Sequence, residues 1–165
     1  MAQAKPSFAL RPYLPQDAPM LADIFRASIE ELTEDDYTPA QQEAWASAAD
    51  DTEEFAGRLG KHLALIATMQ GSPIGFISLD NATDIGLFYV HPAVAGQGAG
   101  RMLYDAIEKI STARGTTHLA LDASDTARPF FEHRGFTAEQ RNTVSAGNEW
   151  LSNTTMKKKL KEAAP

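Results

Sequence analysis

The stretch Gly96-Gln97-Gly98-Ala99-Gly100-Arg101 decides the fold of this chain. It follows the apolar run Leu87-Phe88-Tyr89-Val90 and the break His91-Pro92. After it come apolar residues spaced three and four apart, as on one face of a helix, namely Leu103, Ala106, Ile107 and Ile110. The order predicts a strand, then a glycine-rich loop, then a helix.

This loop has the features of an anion-binding site. The first N–H groups of a helix have no partner inside the helix, and the helix dipole adds partial positive charge there. Glycines let the main chain approach a phosphate without a Cβ clash. We therefore expect a phosphate-bearing ligand at this loop. Taken alone, the run also fits an ordinary flexible connection between a strand and a helix.

The glycine spacing excludes two common phosphate loops. A Walker A loop needs Lys and then Ser or Thr after its last glycine, whereas Gly100 is followed by Arg101. A dinucleotide fingerprint that starts at Gly96 needs glycine at position 101. One that starts at Gly98 needs glycine where Leu103 stands.

Two motifs resemble those of the GNAT superfamily of acetyl-CoA-dependent N-acetyltransferases. The first is Tyr89-Val90-His91-Pro92 followed by Gly98-Ala99-Gly100, which is similar to the family's pyrophosphate loop and the strand before it. The second is the strand Leu119–Asp122 and then Ser124-Asp125-Thr126-Ala127-Arg128-Pro129-Phe130-Phe131-Glu132-His133-Arg134-Gly135-Phe136. It is similar to the family pattern Asn-x-x-Ala-x-x-Phe-Tyr-x-x-x-Gly-Phe, and it resembles a YafP-like bacterial branch. The resemblance covers roughly residues 7 to 158.

The resemblance implies a mixed α/β GNAT fold. Its sheet would be mostly antiparallel, with about six to seven strands flanked by helices and splayed between the fourth and fifth strands. It implies one N-acetyltransferase domain over residues 1–165, with a variable acceptor-side segment at about 33–60.

Local patterns predict the separate elements. Strands are predicted at Phe8–Arg11, Leu63–Ala67, Ile74–Leu79, 84–90, 119–123, 137–144 and 149–157. A first helix is predicted with Asp17 as its cap, and its buried face carries Leu21, Ile24, Phe25, Ile29 and Leu32. Four further helices are predicted from Thr38 to Trp45, from Thr52, from about 100 to Gly115, and from about Thr126 to Gly135. We expect an acidic loop at Thr33–Asp36, a turn at Ser145–Asn148, and a frayed, solvated tail at Lys157, Lys158, Lys159 and Lys161.

The resemblance implies transfer of an acetyl group from acetyl-CoA to a primary amine by direct attack in a ternary complex. Pantetheine would pair with the strand before the loop, and one backbone N–H of that strand would face the thioester oxygen. The implied cofactor-binding residues are Phe88, Tyr89, Val90, Gly96, Gln97, Gly98, Ala99, Gly100, Arg101, Ser124 and Phe131. The alternatives are a non-catalytic acyl-CoA-binding or regulatory module, and a loop for another phosphate ligand such as a nucleotide.

The general base is assigned on the resemblance alone. Family members often carry an acid at the start of this strand, and Asp84 holds that place. Aspartate is short, so a water relay to the amine is expected rather than direct contact. The other interpretation is a polar residue that ends the Asn81–Thr83 turn. His133 and Glu30 are secondary candidates.

Three residues depart from the family pattern. Phe131 stands where the family has the tyrosine proposed to protonate the leaving thiolate, so solvent would supply that proton. Ser124 replaces an asparagine beside the cofactor. Ala95 replaces the usual Arg or Gln that begins the loop, which implies a larger share of the phosphate charge for Arg101.

The acceptor pocket is expected from the variable segment and the last hairpin. Tyr37, Trp45 and Trp150 are candidate walls, and we expect one of the three to have this role.

Composition limits the class of protein. The 165 residues, 43% hydrophobic and 22% charged, are typical of one globular domain. The lack of cysteine excludes disulfides, thiolate metal sites and cysteine nucleophiles, and we expect no metal cofactor. A net charge of −7 argues against nucleic acid as partner and suits a cationic amine.

No apolar run is long enough to span a membrane, and no signal-peptide pattern is present, so we expect a cytoplasmic protein without a membrane partner. A homodimer is also considered. The sequence leaves the acceptor amine unidentified.

Overall fold

Seven strands form two antiparallel sheets in the computed structural model, which describes residues 7–161. The first sheet contains, in spatial order, β1 (Phe8–Pro12), β2 (Leu63–Met69), β3 (Ser72–Leu79) and β4 (Ile85–Val90). The second has the order β5 (His118–Ser124), β7 (Glu149–Lys159), β6 (Thr137–Ala146). The helices are α1 (Ala18–Leu32), α2 (Pro39–Ala46), α3 (Thr52–Leu59), α4 (Ala99–Ala113) and α5 (Arg128–Glu132). The expected mixed α/β class and strand number are confirmed.

The two sheets meet where β4 begins. Asp84 forms an isolated parallel bridge with Ala120 of β5, and the Ala120 N–H donates to the Thr83 carbonyl at 2.9 Å. Past this bridge, β4 and β5 belong to separate ladders. The expected splay between the fourth and fifth strands is confirmed, and it leaves a gap between the sheets.

Apolar side chains pack on both faces of the first sheet. On one face α4 buries Leu103 and Ile107, and on the other α1 buries Leu21. Successive side chains of a strand alternate between faces, so Phe88 packs with the α4 cluster and Tyr89 with the α1 cluster. β4 therefore contributes to both cores.

The start of α1 differs from the prediction. Asp17 precedes the helix, but its side chain caps no N–H of α1. Its carboxylate instead accepts two hydrogen bonds from Arg11, at 2.7 and 2.8 Å, and one from the Leu14 N–H at 2.8 Å. The bidentate guanidinium contact and the helical backbone of Asp17 (φ −77°, ψ −19°) direct the carboxylate back toward β1. Leu32, predicted on the buried face, is 38% exposed.

The expected frayed tail is wrong for Lys157, Lys158 and Lys159. β7 continues through Lys159, which lies opposite His118 of β5. Lys158 Nζ lies 3.1 Å from both carboxylate oxygens of Glu108 on α4. Pairing with β5, to which Lys157 adds pairing with β6, and this ion pair keep the lysines in the sheet. Lys161 alone of the four follows the sheet as exposed chain.

Other boundaries agree with the prediction to within a few residues. Thr38 caps α2 by accepting the Gln41 N–H at 3.2 Å, and α3 is capped by Asp51. The last hairpin turns more tightly than expected, because Ala146 already pairs with Glu149. Within residues 7–161, no helix is long and apolar enough to cross a membrane.

We expect Asp17→Asn to lower the free energy of unfolding by about 1–2 kcal/mol at pH 7. The hydrogen bond from Arg11 holds the pKa of the Asp17 carboxyl below its ordinary 3.8. A lowered native pKa stabilises the fold above the unfolded-state pKa, and this contribution is lost as the pH falls through the native value. Urea denaturation should therefore show a smaller difference from wild type at pH 3 than at pH 7.

Asp23→Asn is the matched control, because that side chain is 79% exposed on α1, the helix that Asp17 precedes. We expect it to change the free energy of unfolding by less than about 0.5 kcal/mol. An Asp17→Asn effect of equal size at both pH values would contradict the proposed coupling between the lowered Asp17 pKa and the free energy of unfolding.

Candidate active site

The glycine-rich loop leaves the first amides of α4 without helical partners. Gly98 has left-handed backbone angles (φ 101°, ψ −2°), a conformation that favours glycine. The first helical hydrogen bond runs from the Met102 N–H to the Gly98 carbonyl at 3.0 Å. The N–H groups of Ala99, Gly100 and Arg101 precede this ladder, and no side chain caps them. They are available to an outside acceptor.

A cleft of about 320 Å³, here called the loop cavity, begins at these amides and runs along β4. It brings together ten of the predicted cofactor-binding residues, namely Phe88, Tyr89, Val90, Gly96, Gly98, Ala99, Gly100, Arg101, Ser124 and Phe131. Gln97 is exposed and does not line it. The Arg101 side chain is 76% exposed, with Nε 4.0 Å from Asp105 Oδ2, so the guanidinium lies at the outer end of the cleft.

Backbone groups of β4 alternate between β3 and the gap. The His91 N–H donates to the Ile74 carbonyl at 2.7 Å, and Tyr89 lies opposite Phe76 of β3. By alternation, the backbone groups of Phe88 and Val90 point away from β3, into the gap. The prediction placed the Tyr89 backbone on a ligand as well, whereas here it faces β3.

A β-bulge reshapes the start of β4. The register shifts between Ile77 and Leu79 of β3. The buried Ser78 hydroxyl accepts a hydrogen bond from the Leu87 N–H at 2.9 Å. This bond satisfies the Leu87 N–H, which the register shift leaves without a backbone carbonyl partner on β3. The Asp80 carboxylate lies against Gly86, where a Cβ would be 2.1 Å from Asp80 Oδ1. Sequence reasoning missed this bulge, although a glycine inside a strand is a known signal of one.

A second cavity of about 250 Å³, here called the hairpin cavity, lies between the gap and the β6–β7 hairpin. It shares Trp45, Phe88, Tyr89, Ser124, Ala127 and Phe131 with the loop cavity. The two cavities therefore meet in the gap, with aromatic rings at their common wall. A ligand that enters from the loop and one that enters from the hairpin could come into contact there.

Tyr37 and Trp45 line the hairpin cavity, whereas Trp150 is 64% exposed and does not. The Tyr37 hydroxyl donates to the Ser152 carbonyl at 2.7 Å and accepts the Asp125 N–H at 2.9 Å. These bonds tie the segment before α2 to β7 and to the turn after β5. Burial raises the pKa of Tyr37.

Tyr89 and Phe131 form the centre of the shared wall. The Tyr89 ring packs edge-on to Phe25 at a centroid distance of 4.7 Å. Burial raises the pKa of Tyr89 to about 12, so it stays protonated at neutral pH. Phe131 is 1% exposed and packs edge-on to Phe88 at 5.7 Å. Ser124 accepts the Ala127 N–H at 3.1 Å, which shapes the turn into α5.

The three candidate bases lie outside both cavities. Asp84 accepts hydrogen bonds from Asn81 Nδ2 at 2.9 Å and from the Thr83 hydroxyl at 3.1 Å. These bonds hold the carboxylate in its own turn, and the residue lines neither cavity. Glu30 and His133 are exposed and line neither cavity as well. Among residues 7–161, no group of three or more His, Asp or Glu side chains could hold a metal ion.

A splayed α/β sheet with a free helix N-terminus beside its gap is the arrangement that the GNAT resemblance implied. Residues 33–160 match the family model described as an acetyltransferase (GNAT) domain. The chain belongs to this family of acetyltransferases.

Relatives support the same assignment. The chain is 30% identical over 151 residues to the uncharacterized N-acetyltransferase YafP of Escherichia coli K12, covering 91% of this chain and 95% of that protein, so the expected likeness to YafP is confirmed. A Rhodopseudomonas palustris structure, described as a GCN5-related N-acetyltransferase and as a class-II aminotransferase, is 57% identical with a TM-score of 0.91, covering 97% of this chain and 99% of that one.

The PaiA N-acetyltransferase of Thermoplasma acidophilum, solved in complex with coenzyme A, shares the fold. It is 21% identical with a TM-score of 0.76, and the match covers 93% of this chain and 99% of that one.

We expect Gly86→Ala to lower the free energy of unfolding by about 1–3 kcal/mol, because the new methyl group would overlap the Asp80 carboxylate. Adding Asp80→Ala should restore most of this loss. Urea denaturation of wild type, both single variants and the double variant gives the interaction free energy between positions 80 and 86. Full stability of Gly86→Ala alone would show that the carboxylate moves aside freely.

Proposed function

We propose that this protein transfers an acetyl group from acetyl-CoA to a primary amine by direct attack in a ternary complex. The observation that carries the proposal is the gap between β4 and β5, where the loop cavity meets the hairpin cavity. One cavity ends at the free amides of α4 and suits an anionic cosubstrate. The other opens beside the hairpin and suits its acceptor.

In this proposal the residues before and within α4 bind the cosubstrate. The amides of Ala99, Gly100 and Arg101 take the diphosphate, and Arg101 supplies the charge that Ala95 lacks. The backbone of Phe88 and Val90 pairs with pantetheine, and one of these N–H groups stabilises the thioester oxygen as it becomes negative. The coenzyme A complex of the PaiA protein supports this choice of ligand.

The proposed reaction needs an acceptor amine that has lost its ammonium proton. Attack then forms the nitrogen–carbon bond and breaks the carbon–sulfur bond, the thiolate leaves, and the nitrogen releases one more proton to water as it becomes an amide. Asp84 is bound to Asn81 and Thr83, so any part it has in removing the proton runs through water. Phe131 offers no proton to the thiolate, and solvent supplies it.

The proposal treats residues 1–165 as one domain whose acceptor side is the segment at about 33–60. Tyr37 and Trp45 support this assignment, since both line the hairpin cavity. The cytoplasmic location and the homodimer stay predictions from the sequence.

A second candidate function is a non-catalytic acyl-CoA-binding module. The observation that favours it is Phe131, whose ring stands in the shared wall without a hydroxyl group. Both candidates bind the thioester, so binding alone does not separate them. Release of free coenzyme A across a broad panel of amines, with the products read by mass spectrometry, does.

We expect Gly98→Ala to weaken acetyl-CoA binding roughly 10-fold, because an alanine at φ 101° strains the loop by about 1–2 kcal/mol. Isothermal titration measures the affinity. Gly57→Ala in α3 is the matched control, since its Cβ would meet nothing within 4 Å, and its affinity should equal that of wild type. Unchanged affinity of Gly98→Ala would remove the loop from the proposed site.

We expect Phe131→Tyr to keep kcat for acetyl transfer within roughly threefold of wild type, because a thiolate leaves without a nearby acid. Steady-state release of coenzyme A with the best amine of the panel measures it. A wild type that is inert with every amine, together with an active Phe131→Tyr variant, would favour the binding module instead.

A further inference from the structure

The charge on the lining of the hairpin cavity is negative. Among the described residues that line it, Asp122 is the only charged one, and it is an acid. The nearby cation Arg141 on β6 is engaged, because both of its terminal nitrogens bond the Asp125 carboxylate. The rest of the lining is mainly aromatic and aliphatic, including Tyr37, Trp45 and Leu151.

Asp122, on β5, is held in place by side chains from two other strands, β6 and β7. The Thr155 hydroxyl on β7 donates to Asp122 Oδ1 at 2.6 Å. Asn142 Nδ2 on β6 donates to the Thr155 hydroxyl at 2.8 Å and to Asn153 Oδ1 at 2.9 Å. Within residues 7–161, Asp122 Oδ2 accepts no hydrogen bond. The network fixes one carboxylate oxygen and leaves the other for a ligand.

We infer that Asp122 binds the ammonium group of the acceptor, and that the acceptor is a compact amine on an apolar or aromatic body without a carboxylate. This inference rests on the proposed function and adds the acceptor class to it. An ammonium group pairs with the free oxygen of Asp122 through charge-assisted hydrogen bonds. The bound ammonium then loses one proton to water, and the neutral nitrogen attacks the thioester. The aromatic walls take the apolar body.

The same lining rejects anionic acceptors. An amino acid would place its carboxylate beside Asp122 in a cavity whose described lining has no Lys, Arg or His. Asp122 is exposed at the cavity, so the cost comes from repulsion between the two like-charged carboxylates rather than from burial. The volume of about 250 Å³ lies below the roughly 300–1,000 Å³ of pockets for drug-sized ligands, so the acceptor is small.

Matched pairs of amines test the acceptor class. Phenethylamine and L-phenylalanine, and tryptamine and L-tryptophan, differ only by the carboxylate. We expect kcat/KM to be at least roughly 10-fold higher for the amine without the carboxylate in both pairs. Equal values, a preference for the amino acids, or acetylation of peptide amines alone would overturn the inference.

Asp122→Asn tests the residue, and its side-chain oxygen can still accept the Thr155 hydroxyl. We expect the KM for phenethylamine to rise roughly 10-fold, the KM for acetyl-CoA to stay unchanged, and kcat to stay within roughly threefold. A merely structural role would move both KM values and the melting temperature. Glu53→Gln, exposed on α3 and outside both cavities, is the control. An unchanged amine KM in Asp122→Asn would overturn the assignment.

Titration of wild type with acetyl-CoA separates this inference from the proposed function. Binding of acetyl-CoA without acetylation of phenethylamine or tryptamine overturns the acceptor class. It leaves the proposed function standing when another amine of the broad panel is acetylated. Lack of acetyl-CoA binding would overturn the proposed function, and the inference with it.

Discussion

The divergence of β4 from β5 is the constraint on which the site depends. Two parallel neighbours would ordinarily satisfy each other's backbone groups along their whole length. Here one bridge between Asp84 and Ala120 joins them, and the first sheet then continues without its neighbour. The backbone of Phe88 and Val90 is left facing the gap as a result. Both cavities, and the proposed meeting of acyl donor and acceptor, exist because this pairing stops early.

Features set by neighbouring residues could be predicted from the sequence, and features set by distant contacts could not. The loop before α4 follows from glycine conformation and from the free amides of any helix start, which are local properties. The bulge at Gly86 depends on Ser78 across the sheet. The network that holds Asp122 depends on the register of three strands. Lys158 was predicted as solvated tail because its partner Glu108 lies fifty residues away.

The acid–base groups of the site differ from those that a motif suggests. Asp84 holds the place of a family acid, yet its carboxylate is bound within its own turn. Tyr89 lines both cavities, yet burial raises its pKa to about 12 and so disfavours the tyrosinate that could act as a base. Phe131 has an aromatic ring but no hydroxyl group that could donate a proton. The one acid among the described residues that line the hairpin cavity, which we propose as the acceptor side, is Asp122, on a strand that the motif describes only as leading into α5.

Unpaired strand edges usually invite other chains to add a strand, which is a common route to aggregation. The edges that β4 and β5 leave open turn toward each other, and aromatic side chains of α2 and α5 stand beside them. A foreign strand would have to enter between two sheets that already touch at one end. The gap can therefore keep unpaired backbone donors ready for a slender, flexible ligand, while these two edges stay closed to a foreign strand.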